Sequence, residues 1–486
     1  MDLFRKKDVK DVIAASTPLR RTMRTVDLTL LGIGAIIGTG IFVLTGKGAL
    51  TAGPALSLSF FLAAVCCGFA GLCYAEFASM APVSGSAYSY SYIAFGEIIA
   101  FVIGWDLILE YALQAATVSA GWSGYFVKLL EGFGINMPVE LTAAYGTTPG
   151  VTTYFNLPGF IIVLLITWIL SIGINQTKKT NDIMVIVKLA IIVLFIACAI
   201  WYVRPSNWSP FSPYGWYSFK AGSTTPIGIV PAASIVFFSF IGFDAVSSSA
   251  EETIEPNKTL PRGILWSLAI STVLYIVMTL IMTGVVPFKE FANFINAPVA
   301  GVIQKTGMNW LALIVDFGAI VGMTTVMLVQ LYGQSRISYA MSRDGLFPKF
   351  FGEVHPKHRT PYKGTWFFGI LTAVAGGFIN INVLFELVNI GTLSAFIIVS
   401  AGVIWMRHTN PDAHRGFRAP GVPFTPIISI VFCFVLIAGL NWETWVRFAV
   451  WFGLGLCVYF LYSRRHSKLE NGGAVGTDDS GLNLVL

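Results

Sequence analysis

The chain has 486 residues, of which 55% are hydrophobic and 12% charged, and its mean hydropathy is +0.72. Soluble proteins usually carry about 25% charged residues, so this composition excludes a water-soluble domain as the bulk of the chain. It is typical of a single bundle of lipid-embedded helices.

Apolar runs of about 20 residues, the length that crosses a bilayer, predict an all-α membrane protein with about twelve transmembrane helices. The first six spans are predicted at residues 27–50, 55–80, 93–127, 157–175, 182–203 and 227–249. The other six are predicted at residues 262–287, 309–341, 364–379, 382–406, 424–441 and 443–463. We therefore expect a cytoplasmic N-terminal segment (1–26), a transmembrane bundle (27–463) and a polar cytoplasmic tail (464–486) that is disordered.

Lysine and arginine are unevenly distributed over the predicted loops. If the N-terminus lies inside the cell, the inner segments carry 23 of these residues and the outer segments carry 7. Basic residues concentrate on the cytoplasmic side of membrane proteins, so both termini are predicted to be cytoplasmic in a multi-pass protein of the cell membrane. The net charge of +6 then reflects topology, with lipid as the surrounding partner, and we expect no nucleic-acid partner.

The sequence shows no arrangement of reactive side chains typical of an enzyme or a metal site. The six cysteines all fall in predicted spans, and the five histidines lack the spacing of metal ligands. We therefore expect no catalytic residues, no metal and no bound cofactor. A channel is the alternative class of membrane protein, although no selectivity-filter motif is visible.

Two predicted spans, the first and the sixth, carry helix-weakening residues at their centres. Span 1 has four glycines within residues 32–40, and span 6 has Gly242 and Asp244 in its middle. Glycine weakens a helix by up to about 1 kcal/mol relative to alanine. Close helix packing through small residues is one interpretation. The spacing of five spans favours another, a five-plus-five inverted repeat whose first helices are broken.

A broken helix predicts how a zwitterion is held. The break frees N–H groups at the start of one half-helix and C=O groups at the end of the other, and in hydrocarbon these groups need partners. We assign residues 38–40 to a carboxylate, and carbonyls near Ile36, Phe238 and Ser239 to an ammonium group. The residues predicted to line this site are Ile36, Ile37, Gly38, Thr39, Gly40, Phe238, Ser239 and Ile241.

Further motifs follow these two spans in a fixed order. They lie at residues 104–111 (GWDLILEY), 251–252 (EE), 257–261 (NKTLP), 338–348 (SYAMSRDGLFP), 355–357 (HPK), 360–361 (TP) and 417–423 (FRAPGVP). With the span 1 and span 6 motifs, over about 24–464, the chain resembles the amino acid–polyamine–organocation transporters. Within them it is similar to bacterial members of the cationic amino acid transporter branch.

The resemblance implies a LeuT-type fold of ten helices plus two added ones, with an amino acid site between spans 1, 3, 6 and 8. It implies secondary active amino acid uptake by alternating access, and an exchanger of the same fold is the alternative. A sister branch pairs with a single-span glycoprotein through a cysteine between spans 3 and 4. Residues 128–156 contain no cysteine, so we expect no disulfide-linked glycoprotein subunit.

Lys188 is a basic residue within predicted span 5. One interpretation is that its ammonium reaches the inner headgroups, since it lies seven residues, about 10 Å, from Asn181. The other rests on the resemblance: proton-coupled members carry a lysine where sodium-coupled relatives of this fold bind a cation between spans 1 and 8. Burial disfavours the charged ammonium, so Lys188 is predicted to couple transport to protons without sodium.

Three more residues are candidates for the site. Glu110 in span 3 either bonds a neighbouring helix or serves as a proton carrier and pocket wall. Asp244 either caps the second half of span 6 or lines the pocket. Met323 in span 8 either fills the core or faces the substrate side chain. In the second case it shortens the pocket, so neutral or mixed substrates become as plausible as cationic ones.

Overall fold

The computed structural model describes residues 4–7, 22–82, 86–147, 150–173, 178–220, 222, 225–356 and 360–469, and its architecture is almost entirely helical. The α-helices are α1 (Thr25–Ile36), α2 (Thr45–Ala52), α3 (Leu56–Met80), α4 (Ser86–Ala94), α5 (Glu97–Gly132), α6 (Leu157–Ser171), α7 (Lys178–Ala199), α8 (Ile229–Val236), α9 (Pro256–Val285), α10 (Pro298–Lys305), α11 (Asn309–Arg343), α12 (Tyr362–Phe378), α13 (Ile381–Thr409), α14 (Phe424–Ala438), α15 (Trp442–Val458) and α16 (Arg464–His466). Two short strands, β1 (Ser218–Phe219) and β2 (Pro226–Ile227), pair antiparallel.

Within the described residues, eight helical stretches are long and apolar enough to cross a membrane, which supports a multi-pass membrane protein. They are Gly40–Met80, Glu97–Gly132, Asp182–Tyr202, Ile229–Ser247, Pro256–Val285, Asn309–Arg343, Ile381–Thr409 and Trp442–His466. Three further apolar helices, α1, α6 and α14, are shorter.

Each of the twelve predicted spans coincides with a helical segment of the structure. One deviation lies at the start of span 3, predicted at residue 93. Helix α5 begins only at Glu97, because Gly96 has a φ of 100° and separates α5 from α4. The apolar pattern runs through this corner, so composition alone did not show the turn.

The centre of the bundle is built from α1, α5, α9 and α11. Helix α5 packs along α11, and α9 packs along α3 and α1. Small residues allow the last of these crossings, since a Cβ at Gly263 would lie 2.6 Å from the Cβ of Leu28, and one at Gly32 would lie 2.5 Å from the Ser267 hydroxyl. Close packing therefore explains Gly32, whereas the glycines later in span 1 lie at a helix break, described below.

The two ends of the chain meet at one face of the bundle. Lys7 forms an ion pair of 2.8 Å with Asp344 at the end of α11, and the backbone N–H of Lys468 donates to the Asp344 carbonyl. Ser467 donates to Glu97 at the start of α5. Residues 464–469, which were predicted to belong to a disordered tail, thus pack against the bundle, whereas 470–486 and Arg20 and Arg21 of the N-terminal segment lie outside the described residues.

The buried carboxylate of Glu76, near the C-terminal end of α3, joins this helix to α13 and to the loop that follows α13. Glu76 accepts two hydrogen bonds from Arg407 at 2.9 and 2.7 Å and one from the backbone N–H of Ala419, and its Oε1 lies 3.2 Å from Arg415 Nε. Glu76 and Arg415 are each about 3% exposed. The pair ties the loop after α13 to α3, and both charges are compensated inside the protein.

Replacing Glu76 with glutamine should destabilise the fold. It leaves Arg415 buried without its counter-charge, and breaking a buried pair in this way costs about 3–5 kcal/mol. The measurement is the midpoint of thermal unfolding in detergent. Glu443→Gln is the matched control, because its pair with Arg447 is exposed and should contribute about 1 kcal/mol or less. Equal midpoints for the two variants would contradict the structural role of Glu76.

Candidate functional site

The first helix break lies in the middle of span 1. Helix α1 ends at Ile36, and Ile37 is extended with ψ of 104°. A π-helical turn, Gly40–Leu44, then leads into α2. Within the part of the chain that the structure describes, the backbone N–H groups of Gly38 and Thr39 have no hydrogen-bond acceptor. The predicted break is present, and its N–H groups are free to bind an anion.

The second break lies in span 6. Helix α8 tightens into a 3-10 turn at residues 237–240, Ile241 is extended with ψ of 135°, and a second 3-10 segment runs over residues 243–252. Gly242 between them has a φ of 118°, a conformation that side chains rarely adopt. The predicted interruption therefore sits at Gly242, two residues before Asp244.

The two breaks pack directly against each other. A Cβ at Gly40 would collide with Ser239, backbone included. A Cβ at Gly242 would lie 2.9 Å from the Cβ of Ala35 and 3.0 Å from its carbonyl oxygen. Glycine thus serves at both positions to let two backbones approach, and the predicted residues of spans 1 and 6 lie next to one another.

Tyr275 on α9 connects the carbonyl groups of the two breaks. Its hydroxyl lies 2.9 Å from the Ile36 carbonyl oxygen and 2.7 Å from that of Ser239. A hydroxyl has one hydrogen to donate, so both carbonyls keep capacity for a further donor. The Phe238 carbonyl accepts the Ile241 N–H at 3.2 Å. Tyr275 is not among the predicted site residues, although a tyrosine in an apolar span, four residues from Ser271 and Thr279, was a usable signal.

Two hydroxyl groups at the breaks have no partner. Thr39 Oγ1 and Ser239 Oγ are buried and make no hydrogen bond within the described residues. Thr39 faces α5, where a Cβ at Gly121 would lie 3.3 Å from its hydroxyl. Buried polar groups in native proteins are normally paired, so these two hydroxyls mark a place that a polar ligand would complete.

Lys188 on α7 reaches the break in span 1. Its side chain is fully buried, and its ammonium donates to the carbonyls of Gly34 at 2.6 Å and Ile37 at 2.9 Å. These carbonyls are left over where α1 ends. The ammonium therefore binds the end of α1 and does not extend to the membrane surface. Gly322 of α11 lies beside the lysine stem, and the adjacent Met323 is fully buried.

Acidic groups lie on the other side of the span 6 break. The Asp244 carboxyl lies within hydrogen-bonding reach of its own backbone N–H and those of Gly242 and Ala245, as in a helix cap, and of the Tyr111 hydroxyl on α5. Glu110, the neighbour of Tyr111, is buried, and its Oε2 has no hydrogen-bond partner among the described residues. Capping and pocket roles for Asp244 are thus geometrically compatible, and Glu110 has unused acceptor capacity.

Comparison with known proteins identifies the family of the chain. The family model for amino acid permeases matches residues 23–461. The chain belongs to the amino acid permease family. It is 56% identical to the branched-chain amino acid permease BcaP of Bacillus subtilis (strain 168), over 96% of this chain and 99% of the relative.

Two other relatives have names that refer to different substrates. The methylthioribose transporter of the same organism is 48% identical over 96% of this chain and 99% of its own length. The human cationic amino acid transporter 4 is 35% identical over 96% of this chain and 90% of its own length. These relatives are permeases and transporters, so the chain is a membrane permease and not an enzyme.

Substitution of the glycines should show that the two breaks support each other. Gly40→Ala should lower the midpoint of thermal unfolding more than Gly38→Ala, since the Gly40 Cβ meets the backbone of Ser239, whereas the Gly38 Cβ meets only Val326 Cγ2, at 2.9 Å. Overpacking of this kind typically costs about 1–3 kcal/mol. The two variants, purified in the same detergent, control for each other. A larger loss for Gly38→Ala would contradict the described packing.

Proposed function

We propose that this permease is a secondary active amino acid transporter of the cell membrane, built on a LeuT-type five-plus-five inverted repeat and working by alternating access. The observation that carries the proposal is the pairing of two helix breaks. They bring together, in one buried place, available carbonyls with N–H groups and the hydroxyls of Thr39 and Ser239 that have no partner among the described residues. A zwitterion is the small molecule whose two ends match such a pair.

The carboxylate of the substrate binds the N–H groups of residues 38–40 and the Thr39 hydroxyl, at the positive end of the second half of span 1. Its ammonium group binds the carbonyls of Ile36 and Ser239, with that of Phe238 nearby. The Tyr275 hydroxyl lies within hydrogen-bonding distance of the first two carbonyls. Since its single hydrogen serves one of them at a time, an arriving ammonium group adds donors without displacing the tyrosine.

Amino acids with neutral, branched apolar side chains are the proposed substrates. Phe238, Ile241 and Met323 are apolar and buried near the breaks, and apolar pocket walls favour an apolar side chain. The name of the Bacillus subtilis relative BcaP points the same way. Methylthioribose is the contrasting candidate, because of the second relative, but it carries no ammonium group for the exposed carbonyls.

Proton coupling through Lys188 is the second part of the proposal. Its ammonium occupies the carbonyls of Gly34 and Ile37, the kind of oxygens that a sodium ion would need. Two unit charges 4 Å apart repel by about 4 kcal/mol at an effective dielectric of 20, around a thousandfold in affinity. Sodium is therefore excluded while Lys188 is charged. Loss of the proton releases the end of α1, and Glu110 is the candidate carrier for that proton.

The topology follows from charge. Both termini lie in the cytoplasm, on the face where Lys7 and Asp344 meet, because the basic loops concentrate there. No disulfide-linked glycoprotein subunit is proposed. Exchange of amino acids without net proton movement is the alternative mechanism on the same fold, and a channel is the alternative class.

Counterflow of radiolabelled amino acids in proteoliposomes tests the function. Vesicles loaded with unlabelled leucine should transiently accumulate labelled leucine, isoleucine and valine. Arginine, lysine and methylthioribose should compete weakly. A channel would show no stimulation by substrate on the opposite side, and counterflow by methylthioribose alone would overturn the assignment of amino acids.

Lys188→Ala should separate coupling from binding. The wild-type protein is expected to take up leucine faster under an inward proton gradient, with no change when choline replaces sodium. The variant should lose accumulation against a leucine gradient, because no titratable group remains at the end of α1, and it should keep counterflow. Counterflow in the same preparation is the control for folding. Sodium-stimulated uptake by the wild-type protein, or accumulation by Lys188→Ala, would contradict the coupling role.

A further inference from the structure

A second cavity lies beside α2, about two helical turns beyond the break in span 1. It has a volume of about 60 Å³ and is bordered by α2, the C-terminal half of α5, the segment 142–147 and the junction of α12 and α13. Its polar lining consists of amides, hydroxyls and one charged side chain, Lys47. By the topology proposed above, this cavity lies on the outer side of the substrate site.

Lys47 has unused hydrogen-bonding capacity. Its Nζ donates to Asn382 Oδ1 at 2.8 Å and lies 4.5 Å from the centre of the Phe385 ring. An ammonium has three N–H donors, and the remaining two have no acceptor within the described residues. The side chain is half-buried, so its charge is less screened than that of a surface lysine.

Glu386 is the acidic residue whose charge acts on Lys47, but the two side chains do not form an ion pair. Glu386, one turn after Asn382 on α13, accepts hydrogen bonds from Asn441 Nδ2 at 2.7 Å and from the Thr444 hydroxyl at 2.6 Å. Its carboxylate is thus turned toward α15 and does not line the cavity. Glu386 therefore acts on Lys47 only through space, and two N–H donors of this cavity-lining lysine have no acceptor among the described residues.

The wall of the cavity is also the rear wall of the substrate site. Gly121 and Val43 line the cavity, and a Cβ at Gly121 would lie 2.8 Å from Thr39 Cγ2 and 2.9 Å from Val43 Cγ2. Lys47 follows Thr39 by eight residues, about 12 Å along a helix. The cavity therefore lies directly beside the break in span 1.

We propose that this cavity is a first docking site for the α-carboxylate of the substrate, with Lys47 as its counter-ion, before the carboxylate moves to the break in span 1. The proposal rests on the proposed function. At about 60 Å³ the cavity holds a few water molecules, so an amino acid enters as the surrounding segments widen. A cationic side chain brings a second positive charge beside Lys47, and the site therefore favours neutral amino acids.

The test compares Lys47→Gln, which keeps a donor for Asn382 but loses the charge, with Lys47→Arg, which keeps the charge. Lys305→Gln is the matched control, because this lysine is also on the proposed outer face but pairs with Glu290 at the surface. Leucine uptake into proteoliposomes of sorted orientation is measured against concentration. The affinity of the central site is measured separately by leucine-dependent thermal stabilisation in detergent.

Loss of one charge-assisted hydrogen bond should raise the KM for uptake from outside about tenfold in Lys47→Gln. The maximal rate, the KM for efflux and the affinity of the central site should stay within about twofold, whereas Lys47→Arg and Lys305→Gln should match the wild-type protein. High ionic strength should raise the wild-type KM and leave that of Lys47→Gln unchanged. Arginine should compete better in the glutamine variant.

An unchanged KM in Lys47→Gln, or equal ionic-strength dependence with and without the charge, would overturn the docking role. A shift of the same size in Lys305→Gln would show a general surface effect and would overturn it as well. If Lys47→Gln does not fold, Lys47→Met provides the second neutral variant. Failure of the proposed function is distinguishable, since the wild-type protein itself would then show no counterflow of any amino acid.

Discussion

The structure depends on one constraint, that a helix interrupted inside hydrocarbon must find partners for the backbone groups it no longer pairs. Water is absent there, and each unsatisfied group costs several kcal/mol. In this chain the carbonyls at the end of α1 are met from two sides. Lys188 on α7 binds those of Gly34 and Ile37, and Tyr275 on α9 binds that of Ile36. Helices α7 and α9 thus each bring one side chain to the break in span 1.

The backbone N–H groups at the break in span 1, unlike the carbonyls, are not paired by other side chains among the described residues. Gly38 and Thr39 have no internal acceptor among the described residues, and the hydroxyls of Thr39 and Ser239 are unpartnered. The carbonyls of Ile36 and Ser239 share one hydroxyl donor, whereas these N–H and hydroxyl groups have no partner among the described residues. In the proposed function a substrate carboxylate completes them, so binding energy is gained where the fold has left groups unpaired. Proteins commonly concentrate such unpaired groups at functional sites.

Contacts made by lysine and arginine side chains hold separate parts of the chain together. Lys188 joins α7 to the end of α1, and removal of its proton weakens both hydrogen bonds at once. At the chain ends, Lys7 and Asp344 join the N-terminal segment to α11, and Glu76 joins α3 to the loop after α13. In the proposed mechanism, rigid contacts at the ends and a titratable contact at the centre let the half-helices move while the scaffold keeps its shape.

The amino-acid sequence by itself determined the helical spans, the two interruptions and the position of a buried lysine. The thickness of the bilayer sets the length of an apolar run, and glycine weakens a helix wherever it occurs. Both features can therefore be recognised from neighbouring residues in the sequence. Tertiary structure alone decided which groups meet. The spacing of Gly40 and Ser239 along the chain does not reveal their contact, and an extended reach toward the headgroups was as consistent with the position of Lys188 as its bonds to Gly34 and Ile37. The role of Tyr275 likewise depends on α9 crossing both breaks. Partners for backbone groups are chosen by packing between distant segments, and that information is not local.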